Sequence, residues 1–198
     1  MKILAINTSP RKGKTTSFAL KCALESAAAF DARIQTELIE LGGLDIRHCT
    51  GCGACERPLT CSRNDDFMPL VPRLADPEIG GVIIGTPVYM GSMTGLCKNF
   101  LDRAVMLRRA GFRWGNVVGG ALAVGEARNG GQELTIQAVH AALFVQNMVI
   151  VNDGPPYAHY GATLVSGDPG GIEDDEFGQV TAHNLGRRVA EVALKLKQ

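Results

Sequence analysis

Short apolar runs alternate with longer helical stretches along this chain, and that alternation constrains the fold more than any other feature. Residues 3–6, Ile-Leu-Ala-Ile, have the pattern of a buried strand, and an Ala-rich helix is predicted over 15–30. Residues 34–41 alternate in polarity and predict a second strand, whereas 42–66 has no period. A short helix is expected over 68–74 in spite of Pro69 and Pro72. A third strand is predicted over 81–85, apolar on both faces as a central parallel strand must be. Helix 95–109, strand 121–124, helix 133–146 and strand 148–151 follow. The Gly-, Pro- and Asp-rich stretch 152–171 reads as a loop, and 176–196 as a closing helix with Leu185, Val189, Val192 and Leu196 on one face. Five βα units in succession argue for one α/β domain over residues 1–198, a three-layer sandwich with helices on both faces of a five-stranded parallel sheet. Right-handed crossovers favour the order 2-1-3-4-5, which puts ligands beyond the carboxyl ends of strands one and three.

Composition narrows the function. Twenty basic and twenty acidic side chains cancel, so the basic excess that nucleic-acid binding requires is missing. No apolar run is long enough to span a membrane. The apolar run at 3–6 is too short for the core of a secretory signal, and the expected location is the cytoplasm. In a reducing compartment the six cysteines are expected to serve metal, redox or packing roles and not disulfides.

The loop after the first strand, 7–16, joins a strand to a helix start. Ser9, Thr15 and Thr16 bring hydroxyls, Arg11 a guanidinium, and the helix start its N–H groups, which suits a phosphate. A capped helix entry is the plain alternative. Residues 8–15 would match a nucleotide-phosphate loop but for Thr8 in place of its first glycine, and strand three ends Gly85-Thr86-Pro87 with no Asp for magnesium. Nucleotide hydrolysis is therefore not expected. Loop 85–95 is apolar with permissive glycines, as a flat aromatic ligand lying against backbone would need. Loop 125–133 adds further glycines and the amide of Gln132, both donor and acceptor.

The irregular segment carries Cys49-x2-Cys52-x2-Cys55-x5-Cys61. Tandem C-x2-C steps bring three thiolates to one centre, with a fourth near enough to complete the set. This is the arrangement of ferredoxin-type iron–sulfur sites, whereas zinc ribbons separate two C-x2-C pairs. A zinc site, or thiols without a metal, are the other readings of these four residues. Cys22 and Cys97 fall in predicted helices and read as packing residues. His48 reads as a solvated loop residue, and His140 and His183 as structural. Trp114, Tyr157 and Tyr160 are open to two readings, half-buried surface residues or covers for a ligand across a subunit interface. Glu133 is explained by the helix dipole.

Ser9-Pro-Arg-Lys-Gly-Lys-Thr-Thr16, Thr86-Pro-Val-Tyr89 through Lys98-Asn-Phe-Leu-Asp-Arg103, and Gly130-Gly-Gln-Glu133 resemble the NADPH-dependent FMN reductase branch of flavodoxin-like proteins. The likeness spans essentially the whole chain. It implies a flavodoxin-like fold, with the cysteine-rich loop at about 42–66 inserted after strand two. It further implies FMN phosphate at Ser9, Arg11, Lys14, Thr15 and Thr16, although Lys14-Thr15-Thr16 stands where that family often has Gly-Asn-Thr. The isoalloxazine ring is implied at Thr86, Pro87, Val88, Tyr89, Met90 and Gly91, with Gly125, Arg128 and Gln132 beside it. Joined to the cysteine spacing, the chain is similar to iron–sulfur flavoproteins. That likeness implies a [4Fe–4S] cluster on Cys49, Cys52, Cys55 and Cys61, and electron transfer between cluster and flavin in a homodimer or homotetramer. The donor implied is a small molecule or a ferredoxin-type protein, with NAD(P)H as a further cosubstrate. An NAD(P)H-dependent FMN or quinone reductase without a cluster, and a cluster-based redox sensor, are the alternatives. Cluster and flavin are expected on one edge of the sheet, because the cysteine loop leaves strand two next to strand one.

Overall fold

The computed structural model describes residues 1–167 and 169–197. Its sheet has strands β1 (Lys2–Asn7), β2 (Gln35–Glu40), β3 (Ile79–Pro87), β4 (Val118–Gly125), β5 (Val149–Ile150) and β6 (Ala162–Val165). All pairings are parallel, and the order along the sheet is β2-β1-β3-β4-β5, with β6 also paired to β4. Helices are α1 (Thr15–Phe30), α2 (Val71–Leu74), α3 (Gly95–Arg103), α4 (Val105–Arg109), α5 (Gln132–Val145) and α6 (Glu176–Leu196). Among the described residues no helix is long and apolar enough to cross a membrane.

Period-two alternation in the central strands builds the two cores. Leu4, Ile6, Val82 and Ile84 point to one face, where they meet Phe67, Phe100, Trp114, Val139 and Leu143. Ile3, Ala5 and Ile83 point to the other, against Leu20 and Ala23 of α1 and Leu185 and Val189 of α6. Glycine sets how closely that second layer approaches. A Cβ on Gly85 would lie 2.6 Å from a Leu20 methyl, and one on Gly186 would lie 1.8 Å from the Ala23 carbonyl oxygen. Glycine therefore serves layer packing as well as the candidate ligand loops.

Three expectations are corrected. The stretch 152–171 is not all loop: β6 lies within it, paired from Leu122↔Ala162 to Gly125↔Val165. The fifth sheet position is thus shared, β5 covering the start of β4 and β6 its end. Four residues, three of them apolar, suffice to fill that edge, but the flanking turn residues hid them; Asp168, also within the predicted loop, lies outside the described residues. The helix expected over 95–109 breaks at Ala104, whose ψ of −7° closes α3 and redirects the chain into α4. Trp114 is no surface cover. It is fully buried, packs on Phe100, and donates its indole N–H to the Leu74 carbonyl at 2.8 Å.

Candidate flavin site and cysteine cavity

The carboxyl ends of β1, β3 and β4 present three loops, tied together by backbone and hydroxyl contacts. Thr8 donates its N–H and its hydroxyl to the Gly85 carbonyl at 2.9 and 2.8 Å. Thr94 caps α3 by accepting from the Cys97 N–H at 3.0 Å, and its hydroxyl donates to the Thr8 carbonyl at 2.9 Å. The Thr94 N–H in turn donates to the Thr86 hydroxyl at 3.2 Å. Cys97 sits beneath this network, completely buried, and burial pushes its thiol up to about 12 against the opposing hydroxyls of Thr8 and Thr86. Both Cys97 and Cys22 are core residues, as their helical positions suggested.

In the first loop, Ser9 is buried and its hydroxyl accepts from the Arg11 N–H at 3.2 Å, so it shapes the turn. Arg11 and Lys14 are exposed and Thr15 is half-buried. Thr16 is buried, and its hydroxyl has no hydrogen-bond partner. The start of α1 has no side-chain cap and no acidic residue in its first turn. An unpaired buried hydroxyl beside uncapped helix N–H groups suits a phosphate, since buried polar groups are normally satisfied. These residues fit FMN.

The β3 loop projects a tight turn. Tyr89 and Ser92 exchange backbone hydrogen bonds at 2.8 and 3.1 Å, and Met90 and Gly91 between them have φ of +49° and +74°. A left-handed conformation is strained for methionine, and the side chain stands fully exposed at the tip. The Val88 N–H is bound to the Val124 carbonyl, and Gly131, at φ +100°, packs against Gly91 and Val88, so the β3 and β4 loops touch. Gln132 is fully buried: its amide N–H donates to the Ala127 carbonyl at 2.7 Å, and its oxygen accepts from the Gly130 N–H at 3.0 Å. Gln132 therefore closes its own loop; Gly125 leaves room for it, since a Cβ there would lie 2.4 Å from the amide nitrogen. Arg128 pairs with Asp175, the cap of α6, and lies over the Phe177 ring. Tyr157 and Tyr160 stay exposed.

The four clustered cysteines, none in a disulfide, line one cavity of about 510 Å³. Among the described residues no three His, Cys, Asp or Glu side chains are gathered tightly enough to grip an ion. The surroundings nevertheless suit an anionic sulfur centre. The Ser62 hydroxyl, 3.0 Å from Cys52 Sγ, holds that thiol below its ordinary range. Arg109 donates to Cys55 Sγ at 3.0 Å, and Gly51 donates its N–H to Cys49 Sγ at 3.4 Å. Arg103 is buried and gripped by Asp65 at 2.6 and 3.0 Å. The Nε atoms of Arg103 and Arg63, both cavity residues, are buried without partners. Arginine keeps its charge in proteins, so orphaned N–H groups beside four thiols fit a cluster's sulfurs.

The cavity's position differs from the expected shared edge. Besides the cysteine segment, its walls are Met93 and residues of α3, α4 and the second half of α5. Those helices run back from the ligand edge, and Ala138 lies roughly 9 Å down α5 from Gln132 by helical rise. The segment is drawn down because Asp66 accepts from the Asp45 N–H at 2.8 Å and Arg103 bonds both the Arg47 carbonyl and Asp65. The Arg103 and Arg109 roles escaped the sequence. Arg103 ends the family-like stretch from Thr86, but nothing in a helical basic run tells which guanidinium meets a thiol.

The family model for NADPH-dependent FMN reductase matches residues 1–163. An iron–sulfur flavoprotein of Methanocaldococcus jannaschii is 39% identical over 198 residues, covering 100% of both chains. One from Methanosarcina thermophila is 34% identical over 192 residues, 97% of this chain and 95% of its own. An NAD(P)H dehydrogenase (quinone) of Acidithiobacillus ferrooxidans is 37% identical over 131 residues, 59% of this chain and 64% of its own. In fold, a WrbA-like flavodoxin from Agrobacterium tumefaciens superposes with a TM-score of 0.63 at 19% identity, over 98% of each chain. The chain therefore belongs to the NADPH-dependent FMN reductase family, among its iron–sulfur flavoproteins, and is an FMN-binding, flavodoxin-like oxidoreductase.

Proposed function

We propose that this protein is a two-centre electron carrier, which passes electrons between a low-potential donor and a small-molecule acceptor through FMN and a [4Fe–4S] cluster. The observation that carries this reading is the meeting of four unpaired cysteines on one arginine-lined cavity, in a chain whose β1 loop keeps an orphaned Thr16 hydroxyl. Together the two groups would supply one- and two-electron redox chemistry. The chain's own part is binding and orientation. Arg11, Lys14, Thr15, Thr16 and the α1 N–H groups hold the phosphate, while Ser9 shapes their loop. Thr86 to Gly91 and the glycines of the β4 loop form the bed for the ring; Gln132 and Arg128 hold that loop in place. Cys49, Cys52, Cys55 and Cys61 ligate the cluster. No side chain is required as an acid or base.

The donor in this reading is a ferredoxin-type protein or a small molecule in the cytoplasm; nucleic acid and membrane have no part. The match to an NADPH-dependent family supports NAD(P)H as an additional source of electrons. Assembly as a homodimer or homotetramer is supported by the exposed Leu134, Phe144 and Val145 on α5. Anaerobic purification with a visible spectrum and iron and sulfide assays tests the reading. Flavin bands with about four iron and four sulfide per chain are expected. Flavin without iron, bleached rapidly by NAD(P)H, would replace it with a cluster-free reductase.

A further inference from the structure

The cysteine cavity is lined by five cationic side chains, Arg63, Lys98, Arg103, Arg108 and Arg109, against one carboxylate, Asp102. Lys98 is neutralised by that carboxylate at 2.6 Å, and Arg108 turns to the Val145 carbonyl at 2.9 Å and the Phe112 ring. The other three face the thiols differently. Arg109 is exposed, has no carboxylate partner among the described residues, and places Nη1 3.0 Å from Cys55 Sγ. Arg103 spends Nη1 and Nη2 on Asp65 and keeps a buried, unpaired Nε; Arg63 likewise keeps a buried, unpaired Nε. A surface arginine is ordinarily solvated, and a buried guanidinium ordinarily satisfies its forks. Two buried guanidinium groups with an N–H to spare, and a third already on a sulfur, suit an anion among the four cysteines.

We infer that Arg109, backed by Arg103 and Arg63, forms a cationic cradle that raises the reduction potential of the centre held by Cys49, Cys52, Cys55 and Cys61. The inference rests on the iron–sulfur reading given above. Each electron taken up by such a centre adds negative charge, so a nearby cation stabilises the reduced form more than the oxidised form. An N–H donated to a ligand sulfur acts in the same direction. Arg109 is the tuning residue, because it touches sulfur and anchors no carboxylate. Arg103 also fastens the loop through Asp65, so its replacement would mix tuning with folding.

The test is an anaerobic redox titration of wild type, Arg109→Gln and Arg109→Lys, with iron and sulfide assayed on each sample. The reduced cluster is followed by electron paramagnetic resonance and the flavin by its visible bands. The cradle predicts full iron content in all three proteins. The cluster midpoint moves to a more negative potential in Arg109→Gln and less far in Arg109→Lys, while the flavin midpoint stays fixed. An unchanged cluster midpoint in iron-replete Arg109→Gln overturns the tuning role. If Arg109→Gln loses iron, Arg63→Gln is titrated the same way: a negative shift with iron retained upholds the cradle, and any other result overturns it. A wild-type protein without iron removes the cluster reading itself, and the cradle with it.

Discussion

Thr16 gives the sharpest residue-level expectation. Its hydroxyl is buried and unpaired and, in the proposed function, bonds the phosphate, so Thr16→Val would remove a hydrogen bond to a charged group, worth about 1.5–3 kcal/mol. A flavin-fluorescence titration should show FMN binding weakened roughly ten- to hundredfold. Thr16→Ser should restore most of it, and equal affinity for all three proteins would place the phosphate elsewhere. Cys52→Ser should abolish iron while FMN stays bound, because the cysteine cavity and the phosphate loop share no residue. Loss of both groups on Cys52→Ser would make the loop a structural support of the flavin site.

The Asp65–Arg103 pair acts on stability. Both side chains are buried, and Asp65 also accepts from the Arg47 and Phe67 N–H groups at 3.1 and 3.2 Å. Burial alone would raise the Asp65 carboxyl, but Arg103 and these N–H groups outweigh it and hold the carboxyl below its ordinary value. A depressed carboxyl contributes stability above its unfolded value of about 3.9 and loses it as pH falls through the folded value. Asp65→Ala leaves Arg103 buried and unpaired, at a cost of about 3–5 kcal/mol in urea unfolding at neutral pH. That deficit should shrink as the pH is lowered below about 3.9. His140 has the opposite charge type. Burial lowers it, so folding keeps the ring neutral where the unfolded chain would protonate it. Stability should be full above about 6.5 and decline as pH falls toward the folded value. In thermal melts across that window, His140→Gln should flatten the decline; an unchanged slope would assign it to other groups.

At the scale of elements, packing distances decide. Gly186 brings α6 against α1, with the Ala23 carbonyl 1.8 Å from where a Cβ would sit. Backbone cannot yield as a side-chain tip can, so Gly186→Ala should cost at least the 1–3 kcal/mol typical of overpacking. A Tm equal to wild type would mean that the two helices slide apart freely. The elements were also where sequence reading did best and where it missed. β1, β3, β4, α1 and α6 were legible because apolar periodicity and length agree there. β6 was not, because the four residues Ala-Thr-Leu-Val among Gly, Ser and Asp carry no period. The break at Ala104 has no sequence signal, since alanine favours helix and only the packing of α4 under the cysteine segment demands the turn. In the site, the cysteine spacing and the Ser9–Thr16 and Thr86–Gly91 segments were readable as chemistry. The loop-holding roles of buried Gln132 and surface Arg128 were not, because residue type shows what a group can bond and not which partner the fold supplies.

For the whole molecule, the two candidate centres sit at different places on one scaffold. The flavin loops crown the carboxyl ends of β1, β3 and β4, while the cysteine cavity lies down the outer face of α3, α4 and α5. Exposed apolar residues on α5 border that cavity, since Val145 belongs to both. Light scattering should therefore find two or four chains per particle, and charging the patch with Leu134→Glu and Val145→Glu should lower that number. The central claim is that one chain holds both redox groups. Protein purified without oxygen and assayed at once for FMN, iron and acid-labile sulfide tests it most directly. The account predicts flavin together with about four iron and four sulfide per chain; flavin with neither iron nor sulfide would contradict it.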